Sequence, residues 1–114
     1  MLAKANRVVS APDYRRLVRT GRRSKGALTL AYARRTQPED PLRIGVIVAK
    51  NVGKAVTRNR VRRRIKAACF PLTAEVGGLD VVLRALPPAR DATWDELSGE
   101  VRRQVETLAG RRSS

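Results

Sequence analysis

The chain is predicted to fold as an α+β sandwich, one domain in which a small sheet is covered by helices. Three observations carry this. Helix-like and strand-like patterns mix along the chain in the order αββαβα. The length, 114 residues, suits one domain with a modest core. No internal repeat appears, and no linker is long enough to divide the chain in two.

Residues 1–9 are basic and irregular, and like the tail at 111–114 are expected to be flexible. Ser10-Ala11-Pro12-Asp13 has a capping-box pattern, with Pro12 in the first turn where its missing N–H does no harm. A helix over Pro12–Thr20 puts Tyr14, Leu17 and Val18 on one side and Arg15, Arg16 and Arg19 on the other, with Gly21 as its stop. Arg22–Gly26 reads as a basic loop. Ala27–Ala33 alternates as a strand does, with Leu28, Leu30 and Tyr32 on one face. Arg34–Pro41, with two prolines and acids, is a loop. Leu42–Ala49 is a second strand, expected to pair antiparallel with the first.

Lys50–Gly53 forms a turn into a second helix, from about Ala55 to about Leu72. Its apolar stripe is Val61, Ile65, Ala68, Cys69 and Leu72, with Arg58 at the edge of the apolar arc. Gly77-Gly78 breaks the chain before a third strand, Leu79–Leu86, which Pro87-Pro88 ends. A last helix begins near Thr93, where Thr93 and Glu96 make a second capping box. Its core stripe is Trp94, Leu97, Val101, Val105 and Leu108, and Gly110 ends it.

Charge narrows the function. The net charge is +15 and the pI about 11.6, a surface that seeks polyanions. Residues 1–74 hold 19 Lys/Arg against 3 Asp/Glu, whereas 75–114 hold 6 against 7. Seven of the thirteen residues from Lys54 to Lys66 are basic and none is acidic. Like charges this close on one helix repel, and a polyanion laid over them converts repulsion to attraction.

Other chemistries are excluded. There is no histidine, which removes imidazole acid–base catalysis and Cys/His zinc sites. Asp91, Asp95 and Glu96 are the one near-cluster of acids, and their place at the start of the last helix suits dipole stabilisation better than a metal. No Walker-type phosphate loop is present. Cys69, the sole cysteine, falls on the apolar stripe and reads as a buried core residue. No apolar run approaches a membrane span and no secretion signal is evident, so the cytoplasm is expected, with no membrane or small-molecule partner.

Binding residues remain. Arg58, Arg60, Arg62, Arg63, Arg64 and Lys66 offer cationic donors suited to phosphates, and Asn59 adds an amide for a base edge or 2′-hydroxyl. The bland alternative is a solvated charged face. Tyr14 and Tyr32 lie on apolar faces beside the basic segments. From pattern alone, core packing and a stacking surface for unpaired bases are equally open to them.

Lys50-Asn51-Val52-Gly53-Lys54-Ala55-Val56-Thr57-Arg58-Asn59-Arg60-Val61-Arg62-Arg63 resembles the signature of the bacterial ribonuclease P protein component, whose hallmark is Arg-Asn-Arg. Asn6-Arg7, Asp13-Tyr14, Gly21, Leu42–Val46 and Asp80–Arg84 resemble the rest of that family in order. The resemblance implies a ribosomal S5 domain 2-like fold with a left-handed crossover around the basic helix. It implies a subunit of an endoribonuclease that binds a catalytic RNA subunit and the 5′ leader of precursor tRNA. In such an enzyme the RNA holds Mg²⁺ and does the cleavage. By position, Lys50, Lys54, Arg58, Asn59, Arg60, Arg62, Arg63, Arg64 and Lys66 would face the RNA subunit. Arg7, Tyr14, Val18 and Tyr32 would meet the leader. Tyr14 stands where the family usually has phenylalanine, Val18 where it often has a second aromatic, and Asn51 where a lysine is common. The alternative is a ribosomal or general RNA-binding protein without a processing role. A helix-in-groove DNA binder comes next, and a protein-only nuclease is the weakest reading.

Overall fold

The computed structural model describes residues 2–7 and 10–110. The expected flexibility of 111–114 lies outside the described residues, as do positions 1, 8 and 9. In chain order the main elements are α1 (Ala11–Thr20), β1 (Arg22–Lys25), β2 (Thr29–Arg35), β3 (Arg43–Ile47), α2 (Ala55–Cys69), β4 (Leu79–Ala85) and α3 (Trp94–Leu108). The strands form one sheet in the order β1-β2-β4-β3. The β1–β2 and β2–β4 pairs are antiparallel, and β3–β4 is parallel. The expected α+β sandwich is what forms, with one strand added.

That strand is β1, where the sequence suggested a loop. Arg22-Arg23-Ser24-Lys25 has no apolar alternation to betray it. It is held by the ladder to β2 and by α3, whose Gln104 side chain donates to the Ser24 carbonyl at 3.0 Å. The Arg22 guanidinium also donates to the Leu108 carbonyl at the C-terminus of α3, where a cation complements the helix dipole.

The expected antiparallel pairing of the first two predicted strands, here β2 and β3, does not form. β4 lies between β2 and β3. Its run Leu79-Asp80-Val81-Val82-Leu83 is buried on both faces, so it needs a neighbour on each side and a layer above and below. The loop after β2 instead crosses the start of β4: Thr36 N–H donates to the Gly78 carbonyl and Gly78 N–H to the Asp40 carbonyl. Gly78 has φ +67, and a Cβ there would lie 3.0 Å from the Gln37 carbonyl oxygen, so the turn requires glycine.

The main core lies between one sheet face and α2 and α3. Ala31, Ala33, Ile44, Val81 and Leu83 meet Val61, Ile65 and Cys69 of α2 and Leu97, Val101 and Val105 of α3. Burial pushes the Cys69 thiol up to about 12, which keeps it an inert core residue. α2 gives way to a 3₁₀ turn, Phe70–Ala74, because Pro71 has no amide hydrogen to continue the helical ladder. Leu72 is still buried, so the stripe outlasts the helix. α3 starts as expected: Thr93 accepts from Glu96 N–H, and the Glu96 carboxylate accepts from Thr93 N–H. Trp94, expected in the core, is 43 % exposed. It is the first helical residue, before the helix has closed onto the sheet.

A buried polar cluster ties α3 to the β1–β2 turn. The Glu100 carboxylate accepts from Ala27 and Leu28 N–H and lies 2.6 Å from the Thr29 hydroxyl. Gln104 donates to the Thr29 carbonyl at 3.0 Å. The N-terminal stretch read as irregular includes a 3₁₀ turn at Lys4–Asn6. Leu2 is buried, and the Asn6 amide donates to the Leu42 carbonyl at 2.7 Å. α1 covers the opposite sheet face through a smaller cluster, Leu17 with Val82, against which Tyr14, Val18 and Ile47 pack.

Candidate nucleic-acid interface

α2 buries Val61, Ile65, Ala68 and Cys69 and sends its cations elsewhere. Its first turn has no acid, and its N-cap, Lys54, makes no capping bond through its side chain. Its Ala, Arg and Lys residues favour helix but its N-terminus gains nothing from a cap or an acid, and tertiary burial of the stripe does most to hold it. Among the described residues, no cation from Lys54 to Lys66 forms an ion pair.

The cations divide into three groups. Arg60 and Arg64 lean toward the start of α3 and donate to the Arg90 and Ala92 carbonyls, each at 3.0 Å. Arg58 is half-buried at the edge of the stripe, as its place on the helical wheel suggested, and its Nε has no hydrogen-bond partner. Asn59, Arg62, Arg63 and Lys66 form the open group and line a shallow surface groove with Val56. The Asn59 side-chain oxygen accepts from Arg62 at 2.9 Å, which leaves its NH₂ donors outward and orients the guanidinium. Val56, 82 % exposed, and Phe70, 51 % exposed, flank this face at its two ends. Lys50 and Lys54 are exposed just before the helix and extend the positive surface past its N-terminus.

A second surface lies on the α1 side of the sheet. Strand register sorts this face into rows across the strands. Arg23, Tyr32, Val82 and Gly45 form the middle row. Leu17 closes on Val82, and the Tyr14 ring lies flush on Gly45, where an added Cβ would meet the ring at 2.6 Å. Glycine at 45 thus makes the seat for Tyr14. To one side, Arg34, Asp80 and Arg43 form the next row. To the other, Lys25, Leu30, Arg84 and Ile47 form a row that is only partly covered.

The orientation of α1 follows from these rows. Asp13 lies near enough to Arg43 to help raise its pKa, so the Asp13 side of α1 faces the Asp80 row. At about 100° per residue, Val18 and Arg15 come round to the other side, toward the Leu30–Arg84–Ile47 row. Tyr14 and Val18 are half-buried and wall the resulting groove, and exposed Arg84 stands on its floor. Tyr32 is 5 % exposed and lies on this sheet face in register with Arg23 and Val82. Arg7, exposed, forms an isolated bridge to Ile44 beyond β3, away from Tyr14 and Val18 in sequence but at the same sheet edge as Gly45.

On the other side of α1, Asp80 ties β2 and β3 to β4 through Arg34 and Arg43. Burial raises its pKa, but hydrogen bonds from Arg43 at 2.8 and 2.6 Å and from Arg34 at 3.1 Å outweigh that and hold it below the usual carboxylate range. Among the described residues, no three His, Cys, Asp or Glu side chains gather as a metal site would require. Sequence reasoning missed Arg84, Leu30 and Ile47 as groove residues. The signal available was Arg84, a cation between Leu83 and Ala85 in a largely apolar strand, which its partly covered row explains.

The family model described as Ribonuclease P matches residues 2–109. The chain belongs to the ribonuclease P protein family. A ribonuclease P protein component from Clavibacter michiganensis is 42 % identical over 113 residues, covering 95 % of this chain and all of that one. One from an Arthrobacter species is 38 % identical over 112 residues, covering 97 % and 82 %. Among solved structures, the ribonuclease P protein of Staphylococcus aureus superposes with a TM-score of 0.81 at 24 % identity, covering 91 % of this chain and 95 % of that one. That of Thermotoga maritima gives 0.72 at 18 %, covering 95 % and 98 %. These likenesses show the same fold. In ribonuclease P terms, the Arg58-Asn59-Arg60 hallmark is spread over all three groups of α2: one residue tucked under, one outward, one turned to the α3 junction.

Proposed function

We propose that the chain serves ribonuclease P by docking on a catalytic RNA subunit through α2 and holding the precursor tRNA leader in the α1 groove. The observation that carries this is the open group on α2: the cations Arg62, Arg63 and Lys66, without a carboxylate partner among the described residues, beside the Asn59 amide. Such a face is unfavourable until phosphates cover it. Lys50 and Lys54 extend it. Arg60 and Arg64 brace α2 against the start of α3, and Arg58 sets the edge of the helix.

The leader meets a different chemistry. Tyr14 offers part of a ring for a base, Val18 offers packing only, and Arg84 offers a cation beneath. Tyr32 supports Tyr14's neighbourhood from below, and Arg7 adds charge at the β3 edge. The two surfaces lie on opposite faces of one sheet, so one small protein can hold two RNA elements at a fixed separation. Mg²⁺ belongs to the RNA subunit in this reading and supplies the hydrolytic chemistry there. The protein's cations lower the repulsion between leader and RNA subunit, which lowers the Mg²⁺ needed. Neither surface involves a membrane or a small-molecule substrate, and the reading places the protein in the cytoplasm with its RNA partner.

The test is reconstitution. With its own RNA subunit at low Mg²⁺, the protein should increase cleavage of precursor tRNA at the 5′ leader, and the protein alone should cleave nothing. If it binds RNA but leaves cleavage unchanged at every Mg²⁺ concentration, it is a general RNA-binding protein instead.

A further inference from the structure

β1 is an edge strand, and the residues it places on the α1 face are cations. Arg23 is in register with Tyr32 and Lys25 with Leu30, and both are exposed. Arg22 has the opposite parity and is committed to the Leu108 carbonyl. The sequence contains no acid from Tyr14 to Pro38. Among the described residues, neither Arg23 nor Lys25 forms an ion pair, and neither does Arg15 on the groove side of α1.

The groove floor leads to this edge. Ile47, Arg84, Leu30 and Lys25 are successive partners across β3, β4, β2 and β1. With neighbouring strands ~4.8 Å apart, the row is roughly 14 Å long. That is about four nucleotides at the ~3.4 Å per-strand spacing of stacked bases. A strand seated at Tyr14 and Val18 and running along this row therefore leaves the protein over β1.

Resting on the leader-binding reading above, we propose that β1 is the distal end of the leader path. Arg23 and Lys25 hold leader phosphates beyond the bases that meet Tyr14. The leader is favoured over the RNA subunit as occupant for two reasons. The row is continuous with the groove, and α2 packs on the opposite sheet face over β3 and β4, away from β1. Basic residues on an edge strand also serve to block pairing with other chains, and the experiment separates the two roles.

Holoenzyme carrying wild-type or R23A/K25A protein is titrated with mature tRNA and with precursors bearing leaders of about 2 to about 12 nucleotides, over a range of salt. The double variant should bind mature tRNA and the shortest precursor as wild type does. It should bind long-leader precursors more weakly, with the slope of log K against log salt reduced by roughly 1.4, at ~0.7 for each single-strand phosphate that is no longer neutralised. R35A, which removes an exposed cation at the opposite end of β2, in register with Leu79, should change neither. An equal loss for every tRNA, or a loss of affinity for the RNA subunit, overturns the proposal in favour of binding to the tRNA body or to that subunit. No loss at any length also overturns it and leaves edge protection as the role of these charges. If wild type itself shows no dependence on leader length, the leader-binding reading falls, and this proposal with it.

Discussion

At the scale of single residues, identical side chains on one helix have different roles. Arg63 and Lys66 are exposed and line the open groove, whereas Arg64 is half-buried and donates to the Ala92 carbonyl. Replacing Arg63 and Lys66 together by Ala should leave thermal stability nearly unchanged. It should reduce the salt slope of RNA-subunit binding by roughly 0.7–0.9 for each phosphate left without its cation, measured by titration at several salt concentrations. Arg64→Ala should do the reverse: lose about 1.5 kcal/mol of stability in denaturant unfolding, the low end for a hydrogen bond to a charged donor, and change the slope little. An equal effect of both variants on the slope would place Arg64 on the RNA after all. Tyr14 and Tyr32 make the same point. Both sit on apolar faces in the sequence, but Tyr14 is seated on Gly45 and half-buried, whereas Tyr32 is 5 % exposed.

At the scale of elements, the helices with end signals were legible and the strand without pattern was not. Ser10 caps α1 and the Thr93–Glu96 box starts α3, both where the sequence put them, because a cap is a local bond between residues three apart. Thr93→Ala should cost about 1 kcal/mol in denaturant unfolding. The Glu96 carboxyl, held below its ordinary value chiefly by the Thr93 backbone N–H and also by the Thr93 side chain, should rise only partway in a carboxyl titration followed by NMR, because the substitution leaves the backbone donor in place. Unchanged stability would mean that the Thr93 cap contributes nothing in solution. β1 gave no such signal. An edge strand made of arginine, serine and lysine owes its structure to a backbone ladder with β2, and backbone hydrogen bonds leave no mark on side-chain periodicity.

At the scale of the whole molecule, β4 decides the arrangement. Its apolar run takes the centre, separates β2 from β3, and brings Asp80 between Arg34 and Arg43. Because the Asp80 pKa is lower folded than unfolded, its stabilisation is fully present above the unfolded value of ~3.9 and is lost as pH falls through the lower folded value. Asp80→Asn should cost about 3 kcal/mol near neutral pH, the low end for breaking a buried pair because both guanidiniums remain about a third exposed. It should also flatten the acid limb of a stability–pH curve below about pH 4. An unchanged acid limb would show that the pair does not hold the sheet together.

The sequence by itself determined the class of fold, the excess of positive charge and the basic helix, since composition, charge and helical spacing are properties of a linear chain. The family resemblance was equally readable from the Lys50–Arg63 segment, and the match over residues 2–109 agrees with it. Only the tertiary structure decided which arginines face outward, which tyrosine is covered, and that Arg84 and Lys25 share a row with Leu30 and Ile47. Those facts depend on strand order and register. Both are fixed by contacts between residues far apart in the chain, which no local pattern records.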